Sequence, residues 1–550
     1  MSVEGTRRAR VLALLLFAAS AAYFASYARI GLYDDEGYLL EGVTRILDGQ
    51  VIYRDFHHTY APGRFYLFAG LFKLFGQDLL VVRATWVVLR AAIVVLAWLV
   101  GRRLIAGSLA WAPALALAAA PGPWHKSFFH LFLLVSLLAG AALFERGGAK
   151  RSFATGLLLA LALLFRQDVG IVACASVALY LACDGLAARR SGRRTGARVS
   201  LSWLAAGLAV PIVPTLLYFG AEGALGPMLE KVLLAGARDN LTNQLPFPAL
   251  LPVVPANAPD AGAAIALLFT KAIYYLPPVT FAAYAAFLAA RAIRRRALPA
   301  AGEFLLALLG GAALLQVMGR SDIPHLLQAI GLVYFVWAIA LAALTARLPA
   351  AARALRTPLA VGLALLFPAA LTGGFALVAR AIERPACEQY LRRAEVTIPD
   401  ENGTGARVSI RSGERVRLDV PRARVDVAPS LASGVQEIGR FLDERTEPGD
   451  YFLTIPGFQS LYFLFDRRNP TAFPHVRRAF DSPEEEAAYI ADIDRHGTRY
   501  ILFLDDPFDG RPERRFRAFA PSAMQWIVAH YKPVKTVGSY VFLERIDGAT

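Results

Sequence analysis

Three adjacent carboxylates, Asp34-Asp35-Glu36, follow the first long apolar run of this chain. Acids at a membrane boundary are costly to desolvate, so they face water, a cation or a substrate. Two mixed clusters lie further along, Arg166-Gln167-Asp168 and Arg320-Ser321-Asp322-Ile323-Pro324-His325. A positioned carboxylate can take a proton from a reacting group. A guanidinium can grip an oxyanion through two parallel N–H bonds. The question is what brings such groups to one side of the molecule.

The surrounding chain is very apolar. Of 550 residues, 56% are hydrophobic and 18% charged, against about 25% charged in an ordinary soluble protein. Apolar runs of about 20 residues repeat along it, which reads as a polytopic α-helical membrane protein. Spans are expected near 11–30, 80–100, 104–121, 127–144, 153–165, 169–187, 199–219, 268–290, 302–319, 325–346 and 358–379, about eleven in all. The net charge of +15 sits in short arginine-rich links between spans, as the positive-inside rule expects, so no nucleic-acid partner is implied. Those links alternate with links poor in Lys and Arg. One orientation fits them, with the N-terminus cytoplasmic and the C-terminus outside. It puts the 31–79 loop, Lys126, both mixed clusters and the tail on the outer side. Three cysteines, Cys174, Cys183 and Cys387, give no disulfide framework.

The chain divides into a membrane domain, 1–380, and an extracytoplasmic α/β domain, 381–550. In the tail, alternation at 407–410 and 415–418 reads as strands, and helical periodicity follows at Val435, Ile438, Phe441 and Leu442. Ser482 with Glu485 marks a helix start, and strands are expected at 451–454, 500–503 and 540–543. The 31–79 loop is too patterned for a connector. An amphipathic helix through Tyr38–Leu47 leads to Tyr53-Arg54-Asp55-Phe56-His57-His58-Thr59-Tyr60-Ala61-Pro62-Gly63. A second helix, Arg64 to Phe75, is suited to lie along the interface.

This order of motifs resembles the first external loop of membrane glycosyltransferases of the GT-C fold. The matching residues are Asp35-Glu36, Tyr53-Arg54-Asp55, Pro62-Gly63, Arg166-Gln167-Asp168-Val169-Gly170 and Arg320-Ser321-Asp322 with His325. The chain looks most like the rhizobial lipopolysaccharide galacturonosyltransferases. Lipid A aminoarabinose transferases and protein O-mannosyltransferases are similar at a greater distance. The resemblance implies a sugar donor on a polyprenyl phosphate, inversion at the anomeric carbon, and an envelope glycan, lipid or protein as acceptor. Ala- and Arg-rich composition suits the inner membrane of a high-GC bacterium, among its lipids.

Under that reading Asp35 is the expected base, with Asp34 and Glu36 orienting the acceptor, raising the base's pKa or holding a cation. Alternatively all three cap the helix that follows. Arg166, Arg320 and His325, with Asp168, Asp322 and Lys126, are the expected donor-phosphate group. The arginines can equally mark span ends and pair with their own aspartates. Tyr53, Asp55, His57, His58 and Tyr60 are expected on the acceptor side of the loop. His57, His58 and the carboxylates could hold a divalent cation, although adjacent histidines rarely point the same way. Arg90, mid-span, calls for an acid or a polar cavity. A transporter or lipid flippase is the competing reading; it expects ionisable groups at mid-membrane and repeated halves.

Overall fold

The computed structural model describes residues 3–26, 28–119, 124–190, 199–235, 245–251, 261–347, 349, 358, 394–398, 406–410, 415–477, 480–507 and 511–546. They form two compact units, Met1–Ala28 with Ala84–Leu217 and Gln244–Ser412, and Arg29–Arg83 with Tyr218–Asn243 and Gly413–Thr550.

The first unit is helical. It contains α1 (Val3–Ala25), all but the first turn of α4 (Leu79–Leu104), α5 (Ala112–Ala119), α6 (Ser127–Arg146), α7 (Ala149–Phe165) and α8 (Gln167–Arg190). Most of α9 (Leu201–Ala221), then α11 (Ala261–Arg295), α12 (Ala301–Ala313), α13 (Leu315–Gly319), α14 (Ile323–Ala329) and α15 (Val333–Ala346) complete it. Among the described residues eight helical stretches are long and apolar enough to cross a membrane. The chain is a multi-pass membrane protein. The expected 104–121 span breaks into a short turn and α5, the 153–165 span is the 17-residue α7, and 358–379 lies outside the described residues apart from residue 358. Pro211 and Pro214 sit inside α9, and Pro277 and Pro278 inside α11. A threonine follows each pair of prolines. Thr215 donates to the Pro211 carbonyl and Thr280 to the Leu276 carbonyl, at 2.7 and 2.8 Å. Arg90 is buried, its guanidinium over the rings of Trp124 and Phe24 at 5.4 and 5.9 Å. A desolvated cation–π seat of this kind contributes about 2 kcal/mol.

The second unit joins the first loop to the tail. The loop supplies α2 (Asp34–Leu47) and α3 (Gly63–Phe75), and α10 (Leu225–Leu229) follows the end of α9. The tail supplies the hairpin β3 (Val416–Val420) and β4 (Ala423–Val427), α16 (Pro429–Arg445), β5 (Phe452–Ile455), α17 (Ser460–Leu464) and α18 (Pro483–Arg495). It ends with β6 (Tyr500–Phe503), α19 (Phe516–Phe519), α20 (Pro521–His530), β7 (Tyr531–Val537) and β8 (Tyr540–Arg545). The first unit also holds β1 (Ala394–Ile398) and β2 (Ala406–Ile410), which pair as an antiparallel hairpin. The sheet order is β5-β6-β8-β7, with β5 and β6 parallel and the other neighbours antiparallel. One face buries Leu453, Ile455, Ile501 and Phe503 against Tyr489, Ile493 and Ile527. On α16 the residues Val435, Ile438, Phe441 and Leu442 are buried, and the Phe441 ring stacks on Phe542 of β8. Ser482 caps α18 by accepting from Glu485 N–H.

The loop is clamped to the tail at both ends and along its first helix. Gly31 N–H donates to the Asp426 carbonyl and Leu79 N–H to the Arg422 carbonyl, each at 2.9 Å. Gly37 of α2 faces Ser460, where a Cβ would come within 2.4 Å of Ser460 N. Only a glycine permits that approach. Glu41 and Arg45, both buried, pair at 2.5 Å. Arg45 also donates to the Thr471 carbonyl at 2.6 Å, and Asn469 Nδ2 donates to Glu41 at 3.3 Å. Removing one partner of such a buried pair strands the other charge, at a cost of about 3–5 kcal/mol. Arg45→Ala should therefore loosen the loop from the tail and speed proteolysis within 460–475 at least tenfold, by that arithmetic. Wild-type cleavage rates would show that this network does not hold the loop.

Candidate functional site

In the second unit the carboxylates open a helix rather than preceding it. The chain is extended at Tyr33 and turns into α2 at Asp34, so all three acids occupy the first turn, where the helix dipole favours negative charge. Successive helical residues point about 100° apart, and that separates their fates. Glu36 is buried beside the equally buried Arg83, with Arg83 Nη2 donating to Oε2 at 2.6 Å. The same guanidinium donates to the Ile30 and Gly31 carbonyls, each at 3.1 Å, and lies over the Tyr33 ring. Burial raises the Glu36 pKa, and the Arg83 charge and hydrogen bond oppose the rise. Asp35 is exposed. The side chain of Asp34 lies outside the described residues. Of the triplet, Glu36 is thus committed to Arg83, while Asp35 faces outward.

The loop residues mostly hold the loop's own shape. Tyr53 is buried at a positive φ of 77°, its hydroxyl donating to the Tyr60 carbonyl at 2.7 Å. Asp55 accepts from Val51 N–H at 2.7 Å and from Arg54. The Arg54 bond leads, burial opposes it, and the Asp55 pKa falls below its usual value. His58 is buried with its ring 4.1 Å from Tyr38 and 4.2 Å from Phe65. Burial, then the Arg64 charge, lowers its pKa well below 6.5, so it stays neutral at pH 7. His57 turns the other way, its backbone N–H donating to the Ala472 carbonyl and its ring lying 3.9 Å from Glu485. Tyr60 carries the buried Arg64 guanidinium over its ring at 3.9 Å. The two histidines diverge. Among the described residues no group of three or more His, Cys, Asp or Glu side chains is placed to hold a metal ion.

In the first unit the expected donor group does converge, at span ends. Arg166 ends α7 and forks onto Asp168 through Nε at 3.0 Å and Nη2 at 2.6 Å. It lies over the Phe129 ring. Asp322 caps α14, with Pro324 in the first turn, by accepting His325 N–H at 3.0 Å. It also pairs with Arg320 at 2.6 Å and with His325 Nδ1 at 2.5 Å. His325 Nε2 faces Lys126 Nζ at 3.4 Å. An ammonium can only donate, so Nε2 accepts and Nδ1 carries the proton toward Asp322. The two halves meet through Gln316, which donates to Asp168 and accepts from the buried Gln328 at 3.2 Å. Lys126 lies within electrostatic reach of both Asp168 and His325. Lys126, Arg166, Arg320 and His325 thus gather around two carboxylates. Burial raises the pKa of Asp322, but the His325 hydrogen bond and charge, with Arg320, outweigh it and hold the carboxyl at about 2. Sequence reading missed Gln316 and Gln328, whose signal is an amide inside an apolar run.

No family model matches the chain, and no curated protein matches it. Solved structures do share its fold. ArnT from Cupriavidus metallidurans bound to undecaprenyl phosphate aligns over 100% of this chain and 99% of its own, with TM-score 0.53 and 13% identity. The apo form of that protein gives 97% and 98%, TM-score 0.50 and 14% identity. The archaeal oligosaccharyltransferase AglB from Archaeoglobus fulgidus, in complex with an inhibitory peptide and a dolichol-phosphate, covers 98% of this chain and 74% of its own. Its TM-score is 0.51 and its identity 12%. The likeness establishes a GT-C-like fold with an α/β tail.

The depressed Asp322 carboxyl stabilises the folded state above its unfolded pKa of 3.8, and that contribution is lost as pH falls toward 2. At about 1.4 kcal/mol per pKa unit, Asp322→Asn should cost about 2 kcal/mol at pH 7, with the gap to wild type closing between pH 4 and pH 2. Thermal melts in detergent across that range are the measurement. A deficit independent of pH would contradict the ion-pair account.

Proposed function

We propose that this chain, built on the GT-C fold, is an integral membrane glycosyltransferase. It moves a hexosyl or pentosyl unit from a polyprenyl-phosphate carrier to an extracytoplasmic acceptor, which is an envelope glycan, lipid or protein. The observation that carries the reading is the span-end cluster of Lys126, Arg166, Arg320 and His325 around Asp168 and Asp322. Preorganised cations stabilise charge that develops as a bond breaks, and they do so most strongly where water is excluded. Undecaprenyl phosphate in the ArnT structure and dolichol-phosphate in the AglB complex support a prenyl-phosphate leaving group.

The reaction is a single displacement. An acceptor hydroxyl oxygen attacks the anomeric carbon from the face opposite the phosphate, and the configuration inverts. The carbon–oxygen bond to phosphate breaks with its electron pair staying on the phosphate, where the arginines and Lys126 meet it. The hydroxyl proton passes to Asp35, the exposed acid of the α2 first turn. Asp34 is assigned beside it, and Glu36, tied to Arg83, fixes the turn. The N-terminus is assigned to the cytoplasm and residues 381–550 to the far side of a bacterial inner membrane, following the arginine-rich links.

Membranes supplied with a panel of radiolabelled polyprenyl-phosphate sugars test the reading. Transfer of one sugar is expected, and Asp35→Asn should lower it by about 10²–10⁴, the usual contribution of a general base, at unchanged protein level. Turnover near wild type would remove Asp35 from the mechanism. Arg320→Lys keeps the charge but loses the fork, so the donor KM should rise about tenfold or more with the melting temperature unmoved. An unchanged donor KM would take Arg320 out of phosphate binding.

A further inference from the structure

We infer that the second unit carries a subsite for an anionic saccharide, formed by Gln459, Ser460 and Arg477 beside the first turn of α2. Ligands of α/β sheets collect beyond the carboxyl ends of parallel strands, and β5 and β6 are the parallel pair of this sheet. The chain leaving β5 runs through Pro456, Gly457 and Phe458 to Gln459 and Ser460. Gln459 and Ser460 are each 1% exposed. Among the described residues neither the nitrogen nor the oxygen of the Gln459 carboxamide has a hydrogen-bond partner, and the Ser460 hydroxyl has none. Burying such groups unpaired costs about 1–3 kcal/mol each, and native proteins keep few of them.

What these groups display is a donor and an acceptor side by side with a hydroxyl, the complement of neighbouring sugar hydroxyls, each of which both donates and accepts. The charge comes from Arg477. Its guanidinium lies against Gly457, where a Cβ would meet Nη2 at 2.9 Å and Nε at 3.3 Å. The same point is 3.4 Å from Gln459 Nε2. The missing side chain at 457 is what lets guanidinium and carboxamide converge. Arg477 and Phe458 are half-buried, so the proposed entry to the subsite runs past the Arg477 side chain. Ser460 in turn abuts Gly37, two residues from Asp35. A carboxylated or phosphorylated sugar held here places its neighbouring hydroxyls next to the exposed acid. That meaning, an acceptor subsite, rests on the proposed transfer reaction; the binding itself does not.

Saturation-transfer NMR on the full-length protein in lipid nanodiscs tests it, with glucuronate, glucose and acetate as probes. Glucuronate should bind, glucose more weakly and acetate not at all. Gln459→Leu and Arg477→Gln should each weaken glucuronate about tenfold, the scale of one charge-assisted or buried hydrogen bond. Gln459→Leu should melt no lower than wild type, since an apolar group replaces an unpaired polar one. Binding is read here without any transfer, so a failed transfer reaction leaves this result intact. Three results would each overturn the subsite: no glucuronate signal, equal signals for acetate and glucuronate (an anion patch only), or Gln459→Leu binding as wild type does (an amide satisfied by water only).

Discussion

The ion pair between Arg83 and Glu36 fixes the geometry of the first loop. Both side chains are sealed from solvent, at 0% and 1% exposure, and removing water from two charges is expensive unless every remaining hydrogen-bonding group is used. Arg83 answers much of that demand by donating to the carboxylate and to the Ile30 and Gly31 carbonyls. The carbonyls belong to the strand-like entry of the loop and the carboxylate to its first helical turn, so a single guanidinium sets the angle between them. With Glu36 locked inward, the helical rotation of about 100° per residue turns Asp35 to the outside.

The span-end cluster of the first unit follows a different electrostatic plan. Its carboxylates are each shared between partners: Asp168 by Arg166 and Gln316, Asp322 by Arg320, His325 and its own helix. Sharing fixes the directions of the cations.

The tail gives the loop a rigid support. Its hairpin pins Gly31 and Leu79, its 469–471 segment accepts Arg45, and its Ser460 packs on Gly37. A loop of this length alone would lose too much conformational entropy to hold Asp35 still, and side chains held on rigid elements are the precisely placed ones.

Much of this was legible in residue order. Apolar runs gave most of the spans, because a helix in lipid must satisfy its own backbone and announces itself by length. Alternation and the Ser482–Glu485 pair gave the tail its strands and a helix start, which are local properties. The acids and arginines were also readable as chemistry. Their partners were not. Glu36 and Arg83 lie 47 residues apart, Lys126 and His325 199, and Asp168 and Gln316 148. No periodicity couples positions at such separations. The same gap hid the contacts that Tyr53, Asp55 and His58 make within the loop. Sequence by itself determined which segments enter the membrane and which side chains can carry charge. Tertiary structure alone decided which of those charges are sealed in pairs and which face outward, because desolvation depends on what the chain folds around each group.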